Sequence, residues 1–75
     1  MDVDKILIKI KNKRQQLNYS QEYMALVLQM NQANYNKIEN GKVELTVPVL
    51  LKIDKILDLD VLKFLAEFKT NTNES

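Results

Sequence analysis

Seventy-five residues with 45% hydrophobic content, one Gly and one Pro allow a single small core, and exclude a disordered chain or a turn-rich β fold. The absence of Cys excludes disulfides and thiolate metal sites, and the absence of His removes the usual general base and the commonest remaining metal ligand. Net charge is only +1, and the apolar runs are too short for a membrane span or a secretory leader, so a soluble cytoplasmic protein is expected.

The first helix is predicted from Asp4 to Leu17, where Ile6, Ile10 and Leu17 share one stripe and Asp2 and Asp4 sit at the positive helix end. Asn18 stops it. Ser20 is an N-cap type for a second helix that buries Met24, Ala25 and Leu28 and ends near Leu28. The chain breaks at Gln29-Met30-Asn31, then restarts on Gln32 to Asn40 with Asn31 as cap, and Gly41 supplies the left-handed residue that ends this third helix. Thr46 caps a fourth helix running to about Leu57, with Pro48 tolerated in its first turn. Asp60 caps a short fifth helix, Val61 to Phe68, and the polar stretch 69–75 has no periodicity. An all-α, five-helix domain over residues 1–68 with a frayed tail is expected. Its predicted core is Ile10, Leu17, Met24, Leu28, Met30, Ile38, Leu50, Ile53 and Leu57.

Two helices joined by so short a turn leave the second lying across the first, with a polar side available to a DNA groove. At 100° per residue, Gln32, Ala33, Asn36, Lys37 and Asn40 fall within an arc of about 140°, while Tyr35 and Ile38 point into the core. Asn and Gln can bond adenine through two groups, Lys can donate to guanine acceptors, and Ala can lie against a thymine methyl. A plain solvated face is the bland alternative; the tight junction favours readout. Charge adds weaker support. From Lys5 to Lys42 seven cations stand against two acids, whereas residues 43–75 hold four cations and six acids. Attraction to phosphate follows that local field rather than the total, although chance clustering on a solvated surface would look the same.

From about Ile6 to Leu65 the chain resembles the phage repressor and Cro family of helix-turn-helix proteins, the Xre type. The resemblance is carried by Arg14, Leu17, Ser20-Gln21, Met24-Ala25, Leu28, Met30, Asn31-Gln32, Ile38-Glu39-Asn40-Gly41-Lys42 and the Leu50, Ile53, Leu57 stripe. It implies a five-helix, lambda-repressor-like domain whose third helix enters the major groove of double-stranded DNA, usually as a two-fold homodimer on a near-palindromic operator. By position it implies base reading by Gln32, Ala33, Asn36 and Lys37, and phosphate contacts by Gln21, Asn40 and Lys42. Helix N-termini, amides and lysines suit phosphate oxygens. Arg14 and Glu39 match an ion pair between the first helix and the end of the third, which makes Arg14 structural first, though its edge could still face phosphate.

The sequence departs from that family in places. Gln29 stands where Gly is usual, and a left-handed backbone there costs Gln about 1–2 kcal/mol. Tyr23, Leu26 and Val27 stand where charge is common, and Leu26 points away from the buried stripe of its helix. A chance exposed residue is favoured there over a protein contact. The fifth helix is apolar nearly all round, at Val61, Leu62, Phe64, Leu65 and Phe68. One side can pack on the fourth helix. The other is expected to form a dimer interface through Val61, Phe64 and Phe68, the alternative being that Phe64 and Phe68 fold back over Ile8.

A sequence-specific DNA-binding regulator, acting as a repressor, is the leading expectation, with no sensor domain in these 75 residues. Stand-alone chains of the resembled kind include Cro-type repressors, controllers of restriction–modification operons, and antitoxins. A protein-binding module, such as an antitoxin that contacts a toxin through its apolar surface, is the competing class. An enzyme is the poorest option, because no carboxylate pair is placed for acid–base work. No cofactor or metal is expected.

Overall fold

The computed structural model describes residues 3–60 and residue 63. Four helices form there: α1 (Val3–Gln16), α2 (Gln21–Leu28), α3 (Gln32–Glu39) and α4 (Val47–Leu57). No strand occurs among the described residues. The fifth helix, the tail and the interface residues Val61, Phe64 and Phe68 lie outside the described residues, as does Asp2.

Each of the last three helices begins in the same way. Ser20 Oγ accepts from the Tyr23 amide at 2.9 Å, Asn31 Oδ1 from the Asn34 amide at 2.8 Å, and Thr46 Oγ1 from the Val49 amide at 3.4 Å. All three caps have extended backbones, which directs the side-chain oxygen onto an amide lacking an intrahelical partner. Asp60 differs. Its φ of 60° is left-handed, not the extended geometry of those caps, and the helix it was expected to cap lies outside the described residues.

The helix ends are equally local. At the end of α1, Asn18 turns left-handed, its amide donates to Gln15 and the Tyr19 amide reaches back to Arg14. Gln29 and Met30 repeat the pattern on Leu26 and Ala25, and Gly41 and Lys42 repeat it on Ile38 and Lys37. These paired bonds satisfy carbonyls that would otherwise be left open at each terminus.

α2 packs on α3, and α1 lies against α3 and α4. Met24, Tyr35, Ile10, Ile53 and Leu57 are fully buried at the centre. Leu28, Ile38 and Leu50 are buried around them, Met30 is half-buried, and Leu7 and Leu59 join the core without having been predicted. Leu17 is the clear correction: it is 39% exposed. Although its angle on the helix wheel is inward, α1 has already ended at Gln16, and the buried Arg14 and half-buried Tyr19 occupy that end of the core.

Candidate nucleic-acid interface

The connection between α2 and α3 is three residues long, Gln29 to Asn31. Gln29 has φ 61° and ψ 45°, and Asn31 is extended at φ −80°, so the chain reverses at once and starts the next helix without a loop. The sharp turn places the start of α2 beside the exposed side of α3. Along α3, Gln32, Ala33, Asn34 and Lys37 are exposed, Asn36 is half-buried, and Tyr35, Ile38 and Glu39 face inward. Asn40, directly after the helix, is exposed.

One open concavity is lined by Gln21, Gln32, Ala33, Asn36, Lys37 and Lys42. It gathers the four candidate base-reading residues with two of the three candidate phosphate ligands. The third, Asn40, is joined to it by a hydrogen bond from its Nδ2 to Asn36 Oδ1 at 3.1 Å. The lining carries two cations and no acid. A surface of amides beside positive charge can donate to phosphate oxygens and both donate to and accept from base edges.

Beneath the concavity sits a buried polar cluster. Arg14 Nε and Nη2 donate to Glu39 Oε2 and Oε1 at 2.8 and 3.0 Å, and Arg14 Nη1 donates to the Tyr19 carbonyl at 2.8 Å. The Tyr35 hydroxyl donates to Glu39 Oε2 at 2.7 Å, and Gln21 Nε2 donates to Glu39 Oε1 at 3.1 Å. Each carboxylate oxygen therefore accepts twice, which fills its lone-pair capacity. The Arg14 and Glu39 side chains are only 10% and 1% exposed. Such a two-pronged charged bond is strong enough to hold a buried carboxylate ionised.

The protonation equilibria follow that geometry. Burial pushes the Glu39 carboxyl up, but hydrogen bonds from Arg14, Tyr35 and Gln21 together outweigh it and hold the group below its ordinary value. The hydrogen bond to Glu39 raises Arg14 despite its burial. Burial, followed by the bond to Glu39, raises the Tyr35 hydroxyl, which stays neutral. With all three guanidinium nitrogens donating to Glu39 and Tyr19, Arg14 is a structural residue here.

Two roles were not read from the sequence. Tyr35 carries its hydroxyl onto Glu39 as well as filling the core, and the only signal was a tyrosine one helical turn before an inward-facing acid. Gln21 bridges the cluster to the surface: its Oε1 accepts from Asn36 Nδ2 at 3.1 Å. Part of the Asn36 and Gln21 amides is thus already committed within the protein.

The α2 face beside this site carries apolar groups in the open. Leu26 is 74% exposed, Val27 43% and Tyr23 41%, with the Tyr23 ring 4.6 Å from that of Tyr19. Among the described residues no helix is long and apolar enough to cross a membrane.

In comparison with known protein families, a family model described as helix-turn-helix matches residues 10–64 of the chain. No curated protein and no solved structure matches the chain.

Proposed function

The chain belongs to this helix-turn-helix family and is a DNA-binding regulator of transcription, and we propose that it is a repressor reading a near-palindromic operator as a homodimer. In this reading α3 lies in the major groove, and Gln32, Ala33, Asn36 and Lys37 meet base edges. Gln21, Asn40 and Lys42 hold the flanking phosphates, Gln21 from the amide-rich start of α2. Val61, Phe64 and Phe68 join two copies. A dimer suits the task, because one eight-residue helix contacts too few base pairs to single out an operator.

The observation that carries the reading is the open concavity, which is lined by amides, a small residue and two lysines. Selection of bound sites from random duplex DNA tests it. The expected result is two inverted half-sites whose centres are about 10–10.5 base pairs apart, or a multiple of that spacing. Failure to enrich any sequence overturns sequence-specific reading, and enrichment of single, unpaired half-sites overturns the dimer.

Exposed Leu26, Tyr23 and Val27 favour a second reading, a protein-binding module of the antitoxin kind whose apolar face meets a protein partner. Binding to random DNA at several salt concentrations separates the two. Phosphate-directed binding weakens steeply with salt, whereas a module that has lost DNA contact shows no retained complex even at low salt.

A further inference from the structure

An amide presents different chemistry when it is turned over, since one end donates and the other accepts. The orientation of Asn36 on the proposed reading surface is therefore decided by its neighbours. Gln21 lies between Asn36 and Glu39, donating from Nε2 to Glu39 Oε1 and accepting at Oε1 from Asn36 Nδ2, both at 3.1 Å. A carboxylate has no proton to donate, so only the nitrogen end of Gln21 can face Glu39. The Gln21 oxygen must then face Asn36, and this draws the Asn36 nitrogen inward. Asn36 Oδ1 is left on the opposite side, where Asn40 Nδ2 donates to it at 3.1 Å. One buried charge thus orders a row of three surface amides.

We infer that Glu39 is a positioning residue for base recognition: acting through Gln21, its carboxylate holds the Asn36 amide in a single orientation and so selects the base pattern that Asn36 accepts. Its side chain is 1% exposed and its lone pairs are filled, so it exerts this effect without touching DNA. Asn36 retains one N–H beyond its bond to Gln21 and one lone pair beyond its bond from Asn40. Those are the two functions that adenine N7 and N6 engage together. Turned over, the amide would offer them on exchanged sides, and the base in register would be mismatched.

The inference rests on the proposal that α3 reads DNA, and the test separates the two. Asn36→Ala first locates the base position that Asn36 reads. Affinities for the selected operator and its single-base variants at that position are then measured for wild type, Glu39→Gln and Gln21→Met. A core variant distant in kind, Leu57→Ala, controls for lost stability, with folding of each protein verified by circular dichroism. In Glu39→Gln a neutral amide replaces the acceptor-only group, so both orientations become populated. Equal populations lower affinity for the preferred operator about twofold. Discrimination at that position falls from about 5- to 150-fold to within a few-fold against the base whose donor and acceptor match the turned-over amide, and only about twofold against the others. Gln21→Met should relax the same position, together with a general loss of affinity from its phosphate role, and it decides the matter if Glu39→Gln does not fold. Leu57→Ala should keep the wild-type preference. Unchanged preference in the relay variants, or equal relaxation in Leu57→Ala, overturns the role of Glu39 while leaving readout intact. A wild type without sequence preference overturns the DNA-reading proposal and this inference with it.

Discussion

Gln29 and Gly41 occupy equivalent places at the ends of α2 and α3. Both are left-handed, at φ 61° and 74°, and the residue after each returns an amide to the carbonyl five positions earlier. Only one of them is a glycine. The motif is therefore complete in α2 but strained, because a side chain at that φ crowds the following carbonyl.

Gln29→Gly should consequently stabilise the protein. Relief of about 1–2 kcal/mol exceeds the extra unfolded-chain entropy of glycine, about 0.5–1 kcal/mol, and Gln29 is exposed, so little packing is lost. A rise in melting temperature of roughly 2–8 °C is expected in thermal unfolding. Gly41→Ala should lower it by a similar amount. A Cβ there would meet Leu7 Cδ1 at 3.4 Å, an ordinary contact, so the penalty comes from the backbone and not from a clash.

The Arg14–Glu39 pair should leave a signature in the pH dependence of stability. Glu39 is held below its ordinary value in the folded protein, so the unfolded chain takes up its proton first as pH falls. Its contribution is fully present above the unfolded value of about 4.3 and is lost as pH drops from there through the lower folded value. Arg14→Met leaves a buried carboxylate without its cation and should cost about 3–5 kcal/mol near neutral pH. In urea titrations the gap between variant and wild type should narrow below about pH 4.5. A gap that stays constant to pH 3 means that Glu39 is not ionised and paired in the folded state.

Base reading and phosphate anchoring should separate in binding measurements. Gln32→Ala or Lys37→Ala should cost about 1–3 kcal/mol on the operator and relax preference at one or two positions. Lys42→Ala should weaken operator and random DNA nearly alike and reduce the salt slope by about one unit. Gln21 and Asn40 are uncharged, so their loss should leave that slope nearly unchanged. If Lys42→Ala reorders the operators and the α3 variants do not, α3 is not the reading element.

Assembly is tested by charge placed in the proposed interface. Phe68→Glu or Val61→Glu should convert a dimer at micromolar concentration into a monomer in sedimentation, and should weaken operator binding more than nonspecific binding. Wild type and both variants sedimenting alike as monomers would remove the homodimer from the proposal.

The order of the elements and most of their ends were legible in the sequence because those features are settled within a few residues. Ser20, Asn31 and Thr46 each cap the amide three positions ahead, and Gly41 and Asn18 need only their own backbone freedom to turn the chain. Helical periodicity likewise separated Tyr35 and Ile38 from the exposed Gln32, Ala33 and Lys37. Periodicity misjudged Leu17, because the wheel gives an angle and not where the helix ends or what else fills that end of the core.

The Arg14–Glu39 pair was implied by the family resemblance, but the rest of the polar cluster was decided by the tertiary structure. Glu39 bonds Arg14 across 25 residues and Gln21 across 18, and Gln21 bonds Asn36 across 15. No local rule relates such positions. The composition of the candidate reading surface was thus written in α3 itself, whereas the direction in which Gln21 and Asn36 present their donors and acceptors exists only once α1, α2 and α3 have packed around one carboxylate. A side-chain amide has no preferred face of its own; a buried acceptor that cannot donate supplies one.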